Sequence, residues 1–275
     1  TPETPSAEYY TVSLGFGGEI EVGYEPMRSA ENNDLYGINV YSAPANVEGT
    51  PSWTNYAYGL FDDPSNIKID LLVGYQYKFV ATMVKDGKEK MPGDMGYGSP
   101  FNHESQPNSY FYTPISESFI YGQLGMDLDD GKTELEGFGY KKHPNVERYY
   151  GELEGYIPGD NDSKATIELK RTSFGAKFIA KGDYAQDGAL EVIMGNSSQP
   201  HLTLNLAEGN EVSDIFSFDN VRAAWLDENY TEAVPVTLRI AYSDGTTAPL
   251  GTHDITFKRN TTTVVNVDLT VGGEN

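Results

Sequence analysis

The sequence predicts an all-β chain folded as two antiparallel β-sandwiches. Apolar residues alternate with polar ones in many short runs, turn formers separate the runs, and a single stretch has helical spacing. The length of 275 residues allows one or two domains with a sizeable core. Two sandwiches of about 120 to 150 residues each would fill it.

The first run sets the pattern. Tyr10, Val12, Leu14 and Phe16 alternate with smaller or polar residues, Gly17-Gly18 follows, and Ile20, Val22 and Tyr24 alternate with Glu19, Glu21 and Gly23. Period two places one set on a single face. The two halves read either as a hairpin around the glycines or as one long bent strand, 10–24. Glu25-Pro26 stops it, and Met27 to Asp34 is a polar segment carrying one basic residue, Arg28.

Strands are then expected over Leu35 to Tyr41, Asn55 to Phe61, and 67–71, where Ile67, Ile69 and Leu71 alternate with Lys68 and Asp70. In the next run Tyr75, Tyr77, Phe79, Ala81 and Met83 share one face, with Gln76, Lys78, Val80 and Thr82 on the other; Asp86-Gly87 ends it with the strongest hairpin signal here. Met91 to Pro107 is rich in Gly, Pro and Asn and reads as a loop. Strands resume at Tyr110 to Thr113, Ser118 to Leu124 and Glu147 to Tyr156, with an acidic turn over Asp127 to Glu136.

Pro158 to Asp162 is five consecutive turn formers, and the domain boundary is placed there: 1–158 and 159–275. The second half has strands at Thr166 to Lys170, Phe174 to Ala180, Leu190 to Met194 and Leu202 to Leu206. A short helix is expected within Ser213 to Glu228, where Val221, Ala224 and Trp225 have helical spacing. Val236, Leu238, Ile240 and Tyr242 alternate up to Asp244-Gly245. His253 to Phe257 and Thr263 to Val271 close the chain around a turn at Lys258-Arg259-Asn260. No fixed-period repeat is visible.

Composition excludes several function classes. With 20 Tyr and 12 Phe the chain is too aromatic to be disordered. Lys and Arg number 19 against 41 Asp and Glu, a net charge of −22. That charge repels nucleic-acid phosphates and disfavours an anionic membrane surface. Cysteine is absent, so disulfides, zinc thiolates and cysteine nucleophiles are excluded. No apolar run reaches the roughly 18 residues of a membrane helix. The opening TPETPSAE reads as a tether of the kind that follows a removed targeting segment or a lipid anchor.

No catalytic constellation stands out, and neither an enzyme activity, a cofactor nor a metal is expected. His103, His143, His201 and His253 fall in or beside turns without metal-ligand spacing. There is no GxSxG elbow, phosphate loop or GxGxxG fingerprint. Asp127, Asp129 and Asp130 miss the calcium-loop register because Gly131 falls at position five, not six. Asp160, Asn161 and Asp162 read as a solvated turn. No motif nominates a carboxylate pair for glycoside hydrolysis. Trp53, Tyr56, Tyr58, Tyr97, Phe101, Tyr110 and Tyr112 could stack on sugar rings, which keeps a glycan-binding surface lipoprotein as the alternative.

Three motifs, in order along the chain, resemble the fimbrillin family of type V pilus subunits from gut and oral anaerobes. They are EPMRSAENNDLYGINVY (25–41), with Arg28, a polar stretch and a strand; TIELKRTSFGAKFIA (166–180); and DITFKRNTTTVVNVDL (254–269), matching a C-terminal hairpin. The resemblance implies two tandem transthyretin-like, Greek-key sandwiches and export as an outer-membrane lipoprotein whose anchoring cysteine lies upstream of Thr1. It also implies cleavage between Arg28 and Ser29 by a trypsin-like protease, followed by filling of the vacated groove by a strand from another subunit. Other pilus subunits and that protease are the implied partners, with a host or bacterial surface ligand a further one, and the cell surface and then the fimbrium the location.

Burial energetics fit a removable strand. Val12, Leu14, Phe16, Ile20 and Val22, if all inward, are worth about 7 to 15 kcal/mol together. That equals the whole stability of a domain, so the opened edge requires a replacement with the same alternation. Val265, Val267, Leu269 and Val271 supply one, as a donor strand or as the last strand of the second sandwich.

Overall fold

The computed structural model describes residues 8–19, 33–46, 48–90, 101–103, 147–159, 163–184, 186–195, 197–218 and 220–270. Nearly all of its secondary structure is strand, and the chain divides into two compact units between Arg171 and Thr172.

The first unit contains β1 (Tyr9–Gly18), β2 (Leu35–Pro44), β3 (Thr54–Phe61), β4 (Ile67–Leu72), β5 (Tyr75–Val84), β6 (Arg148–Tyr156) and β7 (Lys164–Arg171). Their order is β3-β2-β5-β6-β7-β1-β4. β6 and β7 pair only at Tyr149/Arg171 and Tyr150/Lys170. Around that corner lie a four-stranded layer, β3-β2-β5-β6, and a three-stranded layer, β7-β1-β4. Both point side chains into one core: Ile38, Val40 and Phe79 from the first, Val12, Ile69 and Ile167 from the second.

The second unit contains β8 (Ser173–Lys181), β9 (Ala189–Met194), β10 (Leu202–Asn205), β11 (Glu211–Ser217), helix α1 (Val221–Leu226), β12 (Thr231–Ala241), β13 (Thr247–Lys258) and β14 (Thr262–Asp268). Its sheets run β10-β9-β12-β13 and β11-β8-β14. Phe174 of β8 sits between Phe257 of β13 at 4.5 Å and Phe218 at 4.8 Å between ring centroids.

The two units share one strand order. In each, one layer is third-second-fifth-sixth. In the other, the first strand lies between the fourth, antiparallel, and the seventh, parallel. The repeat is topological, and the sequence carries no matching period.

Several expectations need correction. The unit boundary falls after β7, not at Pro158-Gly159, because β7 pairs with β1 and β6. The short helix expected within Ser213 to Glu228 is present and carries Val221, Ala224 and Trp225, while Ser213 to Ser217 ahead of it is strand, held by antiparallel pairing to β8. The helix is confined to α1, where Asn220 Oδ1 accepts the Ala223 N–H at 2.9 Å. Asp86, at φ +51, leads into a 3-10 turn (Gly87–Lys90) rather than a hairpin. β13 and β14 are not a hairpin either: β13 pairs with β12 and β14 with β8, so the turn at 259–261 crosses between layers. His253 lies within β13, not in a loop. In β5 both faces are buried, Val80 and Thr82 as well as Phe79 and Ala81.

Candidate functional site

The site is the slot that β1 occupies. β1 runs between β4, in the register Val12/Ile69 and Leu14/Ile67, and β7, in the register Leu14/Ala165 and Phe16/Ile167. Period two turns Val12 and Leu14 fully inward, and Phe16 stacks on Tyr36 of β2 at 4.9 Å. Burying these three is worth roughly 5 to 9 kcal/mol, a large part of one domain's stability. Of the other residues assigned to the removable strand, Ile20 and Val22 lie outside the described residues, as do Arg28 and Ser29 of the processing site.

The exit of β1 is clamped to β7. The Glu19 N–H donates to Leu169 O at 2.8 Å, and Glu19 Oε2 accepts the Arg171 N–H at 2.9 Å. Arg171 in turn donates through Nε and Nη2 to the Tyr149 hydroxyl, at 3.0 and 2.8 Å. At Gly18, φ is +93° and a Cβ would lie 2.4 Å from Leu169 O. Only glycine lets the chain pass this close to β7.

The far wall, β4, is held from its other side by two tyrosines of the opposite layer. Tyr56 donates to Asp70 O at 2.6 Å. The Tyr77 hydroxyl accepts the Leu72 N–H at 2.7 Å and donates to Leu72 O at 3.2 Å. These bonds satisfy backbone groups at the edge of β4 that faces away from β1. Burial pushes the Tyr77 phenol far above its usual range, and burial also raises that of Tyr56. The folded unit therefore keeps these protons while the unfolded chain loses them above about pH 10. Stability of the first unit is intact below that pH and falls above it, by at most about 1.4 kcal/mol per pH unit for the fully buried Tyr77. Tyr77→Phe leaves the Leu72 groups unpaired at a cost of about 1–3 kcal/mol. It also flattens the alkaline loss, which melting curves from pH 8 to 11 would read out.

The proposed donor residues sit in the second unit. Val267 and Leu269 are buried there, Val265 is half-buried, and Val271 lies outside the described residues. β14 is the seventh strand of that unit, beside β8.

The other candidates do not converge. Tyr58 and Phe101 are buried, Phe101 against Phe61 at 4.9 Å, while Trp53 and Tyr56 are half-buried. Tyr97, Tyr110 and Tyr112 lie outside the described residues. His103 packs edge-on against Tyr56, and His201 Nδ1 accepts the Met194 N–H at 2.9 Å. His143 and both acidic turns, Asp127 to Asp130 and Asp160 to Asp162, are outside the described residues. Among the described residues, no three His, Cys, Asp or Glu side chains gather as a metal site would require.

Sequence reasoning found the inward triad of β1 but not the Glu19–Arg171–Tyr149 clamp or the tyrosine ties. A lone Arg or Tyr in an alternating run carries no signal of its long-range partner.

No family model matches the chain, and no curated protein does. Solved structures do resemble it. A candidate cell adhesion protein from Bacteroides eggerthii has 11% identity and a TM-score of 0.41 over 97% of this chain and 89% of that one. A fimbrial assembly protein from Parabacteroides distasonis has 10% identity and a TM-score of 0.38 over 95% and 92%. The fimbrial anchor protein Mfa2 from Porphyromonas gingivalis has 10% identity and a TM-score of 0.36 over 90% and 82%. These are the kinds of protein that the sequence motifs resemble. With TM-scores below 0.5 the likenesses carry no further weight, and the chain's own strands carry the functional reading.

Proposed function

We propose that this chain is a structural or adhesive subunit of a surface pilus, non-enzymatic, exported as a lipoprotein precursor and assembled by strand exchange. A trypsin-like protease cuts after Arg28, β1 leaves, and a strand of another subunit takes its place between β4 and β7. The observation that carries this reading is the position of β1. It is an inner strand with a neighbour on each side and a buried apolar face, and it is the first strand of its unit. Removing it opens two backbone edges and a row of apolar pockets at once, a state that only another strand satisfies. The shared strand order of the two units supports a tandem transthyretin-like, Greek-key architecture.

Limited trypsin digestion with intact mass and size-exclusion chromatography tests it. Arg28 is the only Lys or Arg between Gly18 and Asp34. The expected result is a main product starting at Ser29 that elutes as a ladder of detergent-resistant oligomers. A chain that resists cutting at Arg28, or is cut and simply unfolds, overturns the proposal.

A further inference from the structure

The two walls of the β1 slot depend on β1 to different degrees. All six residues of β4 pair with β1, and among the described residues β4 has no other strand neighbour. β7 keeps a second neighbour, β6, at two residue pairs, and the Arg171 guanidinium is bonded to the Tyr149 hydroxyl beside them. Loss of β1 therefore strips β4 of its strand partner and leaves β7 attached. Burial of Ile67, Ile69 and Leu71 in the core still holds β4 down, but apolar contact is non-directional and does not fix a backbone edge.

What fixes that edge comes from the opposite layer. Tyr56 of β3 donates to Asp70 O, and the Tyr77 hydroxyl of β5 bonds both the N–H and the O of Leu72. In an antiparallel pair, successive residues turn their backbone groups to opposite sides. Asp70 and Leu72 turn theirs to the tyrosines, so Ile67, Ile69 and Leu71 turn theirs to β1. The two sets of bonds use different atoms, and departure of β1 removes none of the tyrosine bonds.

We infer that Tyr56 and Tyr77 are positioning residues for the emptied slot: they hold β4 one strand's width from β7 between the departure of β1 and the arrival of its replacement. This deepens the strand-exchange reading above and rests on it. Tyrosine suits the task. Layers of a sandwich pack about 10 Å apart, and a rigid ring with two χ angles carries a group that both donates and accepts across that gap. Because Tyr77 holds both polar groups of one residue, it sets the register of β4 as well as its height. The rings of Tyr56 and Tyr77 meet edge to face at 5.1 Å, so each braces the other.

The second unit supplies the comparison. Its equivalent of β1 is β8, which lies in mid-chain and cannot be shed by a cut on one side of it. There the four-stranded layer β10-β9-β12-β13 carries no tyrosine in any strand. Val234, Val236, Leu238 and Ile240 of β12 point into that core, and such side chains pack but cannot bond a backbone edge. In the first unit every strand of the larger layer carries at least two tyrosines. The ties to the fourth strand occur in the unit whose first strand can be released.

A slot that is formed only part of the time takes up a strand more slowly, in proportion to its formed fraction. The experiment uses that relation. The full-length chain is nicked with trypsin, the released 1–28 fragment is separated, and a fluorescent peptide of residues 8–19 is added to the dilute product. The parent is expected to take up the peptide rapidly. Tyr56→Phe/Tyr77→Phe should take it up at least about tenfold more slowly and release it at the parent's rate. Tyr56→Phe alone, at a half-buried position, should fall between them. Tyr75→Phe, on the same layer with a side chain 37% exposed, should match the parent. Amide exchange gives a second readout: with β1 gone, the Leu72 N–H stays protected in the parent and exchanges freely in Tyr77→Phe. A purely structural role would lower the melting temperature of the uncut variants and leave uptake unchanged. Equal uptake rates, or an unprotected Leu72 in the emptied parent, overturn the positioning role while strand exchange stands. If the fragment never leaves, or the emptied parent takes up no peptide, strand exchange falls and the positioning role with it.

Discussion

Gly18→Val is expected to unfold the first unit while the second stays folded. The residue ends β1 with φ +93°, a region that costs a side-chain-bearing residue about 1–2 kcal/mol. The new Cβ would also stand 2.4 Å from Leu169 O and 2.9 Å from Leu169 N. These are backbone atoms of a paired strand and cannot swing away, so β1 must lift from β7, adding about 1–3 kcal/mol of overpacking. The Glu19 bonds to Leu169 and Arg171 lie one residue further and are lost with it. The sum, about 2–5 kcal/mol before the lost Glu19 bonds, approaches the stability of a small domain. Urea denaturation should change from overlapping transitions to two separated ones, the earlier reporting the Tyr-rich first unit. Gly17→Ala is the matched control. Its Cβ would meet the Glu168 carboxylate, a flexible side chain that can rotate outward, so the cost should stay near 1 kcal/mol or less.

The same contrast between local pattern and long-range contact explains what was legible in the sequence. β1, β4 and β12 bury one face and leave the other partly or fully exposed, so period two revealed both the strands and their inward residues. β2, β5 and the start of β6 bury both faces, and there alternation of polar and apolar residues gives no direction: Asn39, Thr82 and Arg148 are as buried as their apolar neighbours. In β11 the alternation over Ser213 to Ser217 is too weak to distinguish strand from helix; its strand state comes from pairing with β8, a long-range fact. Arg259-Asn260 is a turn as its residues suggest, following directly on Lys258 at the end of β13, with Asn260 at φ +54°. Turn chemistry, however, does not say whether the next strand pairs back or crosses to the other layer. At the candidate site the apolar triad was legible and its setting was not. Arg171 and Tyr149 acquire meaning only when β7 is brought beside β1, so that Glu19 reaches Arg171.

Phe174→Ala is the expected counterpart in the second unit, and the larger core loss of the two halves. Phe174 lies on β8, the strand that occupies in this unit the place β1 occupies in the first. Its ring is stacked with Phe257 at 4.5 Å, tilted against Phe218 at 4.8 Å and stacked with Phe216 at 5.8 Å, so one side chain joins β8, β11 and β13. Truncation removes a fully buried aromatic and leaves a cavity walled by three rings, Phe216 and Phe218 from one segment and Phe257 from another, which limits collapse. A cost of about 3–5 kcal/mol is expected, with up to about 1 kcal/mol more for each lost ring pair. Phe174→Leu retains most of the volume and should cost markedly less. The readout is again urea denaturation, now with the loss in the second unit and the pH 8 to 11 response of Tyr77 in the first unit unchanged. In the first unit β1 rests on Val12, Leu14, the Phe16–Tyr36 stack and a glycine, whereas the second unit pins the equivalent strand, β8, through a four-ring cluster centred on Phe174.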